Sequence, residues 1–473
     1  MYTFQDLQDC GEDEGRRINF IESAIAQHLA SKEYRTAAKA KAYYEHRNPD
    51  ILLVEKVIYD FLGVPHPDTV SPNHKLLNAY YPLIIDTGTA HLLANGVGFK
   101  NGDIKERLGR NFDGVLRKIF TDARNSGVSY GYFDGENLIH FPYEQFVALP
   151  DEYTGTLRAG IRFWRIDPKK PMTAVLYEED GYTVFAETDE ENLAVKEEKK
   201  PYNTEKISSE MQGVYAEDSG EASILPIYPL YNIQRQSAIV GNISILTAID
   251  LVNSQLINNI SEGDLIYWVL QGYGGMDEVD DMNFLAHLIK NHVAHTNNEG
   301  ERIEPHQINV QFQANESGAV RLKQMLYDNM RGVMTEQLSA GNLTATAINS
   351  AYTNQRLNTS LLEYEVIEFL YGIFRIAGIP DDETFSFSYY ETINASESIA
   401  NVIQSAQFIG EKVTTRLLAT YLGVIDDLED IEKEKAEEAM ARMSMLMAQQ
   451  GGAEQPEQEQ PKELLPEAAE SAV

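Results

Sequence analysis

Apolar residues recur at three- and four-residue steps along several stretches of this chain and alternate with polar ones along others. Phe20, Ile21, Ala24, Ile25 and Leu29 predict an amphipathic helix over 16–46. Residues 64–73, VPHPDTVSPN, read as a proline-rich connector. A second helical pattern covers 74–94 and stops at Asn95–Gly96. FDGVLRKIFTDARNSG, from 112, predicts a helix closing on Gly127. VSYGYFDGENLIHFPY reads as a hairpin turning at Asp134–Gly135. AGIRFWRI and MTAVLYEEDGYTVFAE, with a turn at Asp180–Gly181, extend this into a small antiparallel sheet. Residues 187–222 are expected to form a polar loop or irregular excursion, since 178–222 hold 14 acids and 4 lysines.

Residues 237–262 change character. Ile239, Ile243, Leu246 and Ile249 make one apolar row, and Ile245, Ile249, Val252, Leu256 and Ile260 another. A surface helix needs one stripe, so two imply contact on two sides: a core helix, or one wedged between subunits. DLIYWVLQGYGG, MNFLAHLIKNHVAH and INVQFQ predict a β–α–β insert over 263–315. Leu322, Met325, Leu326, Met330, Val333 and Met334 mark a helix over 316–337. A short, nearly uncharged break follows, Leu338, Ser339, Ala340, Gly341, Asn342 and Leu343. Next, 344–377 is helical throughout, roughly 50 Å at about 1.5 Å per residue, and Gly378 and Pro380 stop it. TFSFSYYE (384–391) alternates as a strand, 396–450 is helical with a break at 421–424, and 451–473 has a disordered, acidic composition. The whole predicts an α+β fold, mainly helical, in more than one subdomain, because 473 residues exceed one ordinary core.

Charge narrows the function. The net charge is −34 and the pI about 4.6, against a grip on nucleic acid, which needs clustered Lys and Arg to displace counterions. A surface that passes DNA without holding it stays open. Cys10 is the lone cysteine, so no intramolecular disulfide framework forms and a reducing cytosol is the simplest compartment. The first residues lack an apolar signal region, and no apolar run is long enough to span a membrane.

Chemical motifs are sparse. Gly127-Val-Ser129-Tyr-Gly131 fits the G-x-S-x-G pattern of serine hydrolases. There the serine sits on a turn from strand to helix, whereas here a helix precedes and a hairpin follows. The plain reading is a cap glycine followed by a strand; the alternative is a hydrolase using Ser129. His287, His292 and His295 cluster without a carboxylate or cysteine at ligand spacing. Asp277, Glu278, Asp280 and Asp281 lack calcium-loop spacing. No phosphate loop or dinucleotide fingerprint exists, so no cofactor and no enzyme activity is expected.

The order of segments is more informative. YYEHRNPDI (43–51), NHKLLNAYYPLIIDTGTAHLLANGVGF (73–99), GVSYGYFDGENLIHFPYEQFVALPDEY (127–153), LPIYPLYNIQRQSAIVGNISILTAIDLVNSQLINNISE (225–262), INASESIANVIQSA (393–406) and LLATYLGVIDDLEDIEKEKAEEA (417–439) follow one another in this chain. In that order they resemble the portal proteins, or head–tail connectors, of tailed double-stranded DNA bacteriophages of the long-tailed type, from about residue 16 to 440. One departure is LYNIQRQSAIVG, where relatives carry a plainer Asn-Asn and acidic turn.

The resemblance implies a portal fold assembled as a ring, usually of twelve, with a central tunnel at one capsid vertex. It implies a wing over 1–230, a stem helix over 231–262, a clip over 263–315, a second stem helix over 316–337 and a tunnel loop over 338–343. A long wing helix and return strand (344–394), a crown (395–450) and the tail (451–473) follow. Leu338, Ser339, Ala340, Gly341, Asn342 and Leu343 would face DNA; small neutral residues can approach a duplex without a lasting ion pair. Lys323 and Arg331 would form basic rings toward the lumen or pair with Asp328 or neighbouring subunits, pairing being preferred. Tyr273, Gly274, Gly275, Asp277 and Glu278 would touch the terminase large subunit or a head-completion (adaptor) protein. Further implied partners are double-stranded DNA passing non-specifically and the major capsid and scaffolding proteins, with no membrane. The implied location is the virion, after assembly in the host cytoplasm. Another tail or baseplate ring protein is the remaining alternative.

Overall fold

A computed structural model describes residues 2–59, 62–69, 71–188, 192–202, 224–263, 267–271, 302–306, 312–334, 345–380, 383–389, 402–406 and 410–422, with the isolated positions 408, 433, 440 and 441. The described helices are α1 (Phe4–Asp9), α2 (Glu14–Ala30), α3 (Lys32–Tyr44), α4 (Pro49–Leu52), α5 (Tyr80–Leu93), α6 (Ile104–Arg107), α7 (Phe112–Ser126), α8 (Ile243–Gly263), α9 (Phe312–Met330), α10 (Ala345–Ile376) and α11 (Glu411–Leu422). The strands are β1 (Val57–Tyr59), β2 (Pro65–Pro67), β3 (Val97–Phe99), β4 (Val128–Phe133), β5 (Leu138–Phe141), β6 (Phe146–Pro150), β7 (Leu157–Trp164), β8 (Thr173–Glu178), β9 (Gly181–Glu187), β10 (Leu193–Lys200), β11 (Ile227–Tyr231), β12 (Tyr267–Gln271), β13 (Arg302–His306) and β14 (Phe385–Phe387).

The chain divides into two units, one of Met1–Ala340 with Asn349–Glu391, the other of Gly341–Ile348 with Thr392–Val473. In the second, Val402, Thr414 and Ala419 are buried, and the Thr414 hydroxyl donates to Gly410 O at 2.8 Å. Among the described residues, the first unit holds two larger antiparallel sheets, ordered β10-β9-β8-β7-β6 and β11-β4-β5, and the two-stranded pairs β1-β2, β12-β13 and β14-β3.

Several expectations hold in detail. Gly127 ends α7 in the left-handed region (φ 95°), its N–H bonded to Ala123 O at 2.7 Å. Gly135 turns the β4–β5 hairpin at φ 102°. The long helix runs 32 residues, and Gly378 (φ 62°) closes it.

Others are corrected. The helix expected over 16–46 breaks at Ser31, whose hydroxyl donates to His28 O at 2.7 Å and accepts from Tyr34 N at 3.0 Å, ending α2 and capping α3. The connector at 64–73 contains β2, paired with β1 despite its prolines. Within the expected loop 187–222, residues 193–200 form β10, an edge strand on β9 with register shifts after Val195 and Glu197. Its sequence LAVKEEKK is strand-forming at the start, and its charges discourage pairing with another chain. A strand pairs with β12 already at Arg302–His306, and Phe312 and Gln313, the end of INVQFQ, open α9; the rest of that segment lies outside the described residues. Residues 238–242 form turns before α8. The helix expected from 74 starts at Tyr80, leaving 74–79 without helix or ladder.

Among the described residues, four cores organise the first unit. Phe20, Ile21, Ala24 and Ile25 of α2 cover the five-stranded sheet through Leu149, Ile161 and Leu176. Tyr130, Phe141, Phe146, Tyr177 and Ile227 join residues of the two large sheets. Leu116, Ile119 and Phe120 of α7 meet Val366, Phe369, Leu370, Ile373 and Phe374 of α10. Tyr81, Ile84 and Ile85 of α5 pack with Ile239, Leu246, Ile249, Leu326, Tyr327 and Met330.

Helix α10 meets the three-stranded sheet through reciprocal gaps. A Cβ on Gly131 of β4 would lie 2.5 Å from the Phe369 ring, and one on Gly372 of α10 2.4 Å from the Tyr228 ring of β11. Each glycine admits the other element's aromatic ring. Helix propensity alone favours Gly372→Ala by about 1 kcal/mol, but overpacking costs about 1–3 kcal/mol. Gly372→Ala is therefore expected to lower stability, measured by urea denaturation; a gain would show that the Tyr228 ring yields freely.

Candidate functional site

The G-x-S-x-G match has a packing explanation at both ends: Gly127 caps α7 and Gly131 receives Phe369. Ser129 lies on β4, fully buried, with Oγ 3.0 Å from His140 Nε2. The same Nε2 lies 3.1 Å from Asp122 Oδ2. Serine, histidine and aspartate thus meet, but on one ring nitrogen. A proton relay needs the carboxylate on one nitrogen and the nucleophile on the other. Here the carboxylate and the serine share Nε2, so the three do not stand in that order. Asp122 Oδ2 also accepts from Tyr143 N at 3.2 Å, and Oδ1 from the Ser126 hydroxyl at 3.2 Å. The trio ties α7 to β4, β5 and the turn at Tyr143.

The ordered pair of α8 and α9 is the more distinctive feature. Each helix joins its strand across a few residues, and β12 and β13 pair antiparallel, Tyr267 opposite His306 and Gln271 opposite Arg302. The order is helix, strand, strand, helix, with the two helices packed on each other. Of the two apolar rows expected over 237–262, Ile239, Leu246 and Ile249 are buried, whereas Ile260 further along is exposed, as is Ile257 outside both rows. Entry to α8 runs through left-handed Gln234 (φ 58°) and Arg235 (φ 53°). Asn232 steadies this turn, its N–H on Gly127 O at 3.0 Å and its side-chain amide on Gln236 O at 2.6 Å.

Lys323 of α9 sits over the Tyr80 ring, 5.1 Å from its centroid. Asp328, one of the expected ion-pair partners of Lys323 or Arg331 beside neighbouring subunits, accepts from Gln324 Nε2 at 2.8 Å. Arg331 is exposed and left-handed (φ 52°) just past α9. Its N–H bonds Asp328 O at 3.3 Å and Gly332 N–H bonds Tyr327 O at 2.9 Å, a Schellman-type end with arginine where glycine is usual.

The loop Leu338, Ser339, Ala340, Gly341, Asn342 and Leu343 lies outside the described residues. So do Tyr273, Gly274, Gly275, Asp277 and Glu278, and His287, His292 and His295. Among the described residues, no group of three His, Cys, Asp or Glu is placed to hold a metal, and no helix is long and apolar enough to cross a membrane.

Sequence reasoning missed one built feature. Asp250, Ser254 and Asn258 are buried polar residues spaced by four along α8, and each accepts a backbone N–H from residues 74–78. The signal was a polar row on an otherwise apolar helix.

The family model described as phage portal protein, SPP1 Gp6-like, matches residues 25–442. A portal protein of Clostridium phage phiCD119 is 20% identical over 443 residues, covering 86% of this chain and 93% of that relative. Among solved structures, the neck of a native GTA particle computed with C12 symmetry is similar at TM-score 0.39 and 11% identity, over 71% of this chain and 87% of that one. The virion of a native gene transfer agent (GTA) particle is similar at TM-score 0.36 and 10% identity, over 71% and 87%.

Replacing Arg331 by glycine relieves a left-handed arginine whose side chain is exposed. Arg331→Gly is expected to raise stability by about 1 kcal/mol, read as a higher urea midpoint. A lower midpoint would show that the arginine side chain holds a contact worth more than its backbone strain.

Proposed function

The chain belongs to the SPP1 Gp6-like family of phage portal proteins, and from that premise we propose that it closes into a ring, of twelve copies, at one vertex of the capsid. DNA passes through the ring during packaging and ejection. The observation that carries this reading is the family match across 25–442, which takes in the helix–strand–strand–helix order of α8, β12, β13 and α9. On this reading α8 and α9 are stem helices, β12 and β13 belong to the clip, and 338–343 is the tunnel loop. The wing comprises 1–230 with 344–394, and the crown 395–450. The clip, through Tyr273, Gly274, Gly275, Asp277 and Glu278, docks the terminase large subunit and later a head-completion (adaptor) protein. The major capsid and scaffolding proteins surround the ring, which assembles in the host cytoplasm and stays in the virion. The protein works as a structural conduit, with ATP hydrolysis left to the motor.

Charge and surface support this reading. A net charge of −34 per copy, repeated around a ring, repels phosphate and disfavours sticking. A self-interface needs apolar surface, and residues 52–77 carry it: Leu53 is 79% exposed, Leu62 82%, and Leu52, Val57, Ile58, Val64, Leu76 and Leu77 are also exposed. Exposed apolar clusters of this kind mark association sites. Lys75 Nζ bonds Val54 O, which holds the two ends of the patch together. We assign this patch to contact with the adjacent copy.

Purified chain should sediment as a ring and show a central opening in electron micrographs; a monomer, or a closed particle, would defeat the portal reading. The double variant Leu53→Glu/Ile58→Glu is expected to sediment as a folded monomer with unchanged far-UV circular dichroism. Rings of unaltered stability would remove the patch from the interface. Lengthening 338–343 with bulky residues is expected to leave rings intact and block packaging. Normal DNA uptake by such a variant would move the constriction elsewhere.

A further inference from the structure

Residues 74–79 lie between α4 and α5 without helical or strand pairing of their own. Their alternate N–H groups nonetheless have partners. His74 N donates to Asn258 Oδ1 at 2.7 Å, Leu76 N to Ser254 Oγ at 2.9 Å, and Asn78 N to Asp250 Oδ1 at 2.6 Å. Donors fall on every second residue of the segment, and acceptors on every fourth residue of α8. Extended chain advances about 6.6 Å over two residues, and a helix about 6 Å over four. The two repeats nearly match, so three rungs engage together, the segment running antiparallel to the helix.

One rung is a bolt. The Asn78 amide nitrogen also donates to Asp250 Oδ1 at 2.7 Å and to Leu246 O at 3.2 Å. Its Oδ1 accepts from Tyr80 N, the first residue of α5, at 3.1 Å. The other Asp250 oxygen accepts from Asn48 Nδ2 at 2.6 Å. Asp250 is fully buried, and burial raises its pKa against the pull of these amide donors. Among the described residues, Asn48 Oδ1 has no hydrogen-bond partner.

Burial along α8 is graded. Its residues in the core shared with α5 and α9 end at Ile249. Beyond it, Ile257 and Ile260 are exposed, and Ser254 and Asn258 are buried under the segment. The apolar core holds the first half of the helix, and polar rungs hold the second half on this face.

We propose that residues 74–78 are a strap docked by its main chain onto a polar ladder, and that Asp250, Ser254 and Asn258 are positioning residues. Together they fix the axial position and tilt of α8, beyond Ile249, against the start of α5. The ladder reads backbone N–H groups, so the strap lifts from its N-terminal end without opening the apolar core. Lifting frees the second half of α8 to pivot while Ile239, Leu246 and Ile249 stay packed. The strap is thus a latch between two packed helices, and it stands whether or not DNA passes the assembly.

Hydrogen exchange followed by mass spectrometry on the full-length chain tests this. Ser254→Ala is expected to speed exchange in a peptide covering 73–79 by about tenfold, with α7 and β4 peptides at wild-type rates. Ser254→Thr, which restores the hydroxyl, should restore protection. Asp250→Asn should keep protection at His74 and Leu76, whose acceptors are Asn258 and Ser254; at Asn78 the new amide competes with Asn48 Nδ2, which also donates to Asn78 O at 3.3 Å. Asp250→Leu should lose protection at Asn78. Unchanged exchange at 73–79 in Ser254→Ala overturns the ladder. Equal acceleration of α5, α7 and β4 overturns the latch, since the rungs would then serve only global stability. Loss of protection at His74 and Leu76 in Asp250→Asn shows that charge, not acceptor geometry, holds the strap, and overturns main-chain reading. Leu76 and Leu77 also belong to the patch assigned to the adjacent copy, so exchange is compared in the Leu53→Glu/Ile58→Glu background, where ring contact is removed, and failure there leaves the portal assignment standing.

Discussion

Helix α5 is committed to two cores at once, and the rest of the first unit is arranged around that constraint. Tyr81, Ile84 and Ile85 at its start pack with α8 and α9. Leu92 and Leu93 at its end pack with α7 and α10. The helix is buried on most sides, with Gly88, Thr89 and His91 also inside. Such a helix cannot shift to suit one core without disturbing the other, because close-packed interiors do not deform smoothly. Any movement of the α8–α9 pair relative to the sheets must therefore either carry α5 along or slide past it.

The polar contacts beside α5 sharpen that choice. Arg124 of α7 is buried, and its Nη1 donates to Ile85 O at 2.6 Å. A Cβ on Gly88 would lie 2.5 Å from that same nitrogen, so glycine makes the approach possible. Burial pushes the Arg124 guanidinium down to about 10, which still leaves it charged at neutral pH. On the other side, Asp250 of α8 reaches the start of α5 through Asn78. Two buried charges of opposite sign thus hold one helix through backbone and amide groups. Buried charge contributes little net stability once desolvation is counted, and its better-attested use is to fix register. Arg124 fixes α5 against α7 along a whole helix, whereas Asp250 fixes α8 only through a strap.

Much of this was legible in the sequence. α7 shows one clean apolar stripe and a glycine stop, the β4–β5 hairpin an Asp-Gly turn, and α10 a long sustained period. Local rules suffice there, because partner and signal lie within a few residues. The misses share a cause in distant partners. Residues 74–79 continue the helical spacing of Leu76, Leu77, Tyr80 and Tyr81, and nothing local shows that their N–H groups bond a helix more than 170 residues away. β10 reads as a charged loop until β9 supplies its ladder. The break at Ser31 was hidden by a good helical period on both sides. As for the site, the order of segments pointed to the family, while the rungs of α8 became visible only with the strap in place.

Ser129, His140 and Asp122 show why composition is a poor guide to a protein of this kind. The three residue types of a hydrolase lie within hydrogen-bond reach, yet not in the order of a proton relay. The serine is sealed from solvent, and it shares one imidazole nitrogen with the carboxylate. What remains is a brace between a helix and a hairpin. α8 follows the opposite logic, with unremarkable residue types in an arrangement that has consequences. Aspartate, serine and asparagine at four-residue spacing mean little until an extended segment with a matching repeat lies across them. In a portal-family protein the arrangement of backbone against backbone carries more than the inventory of residue types. The informative residues are those that set one backbone against another.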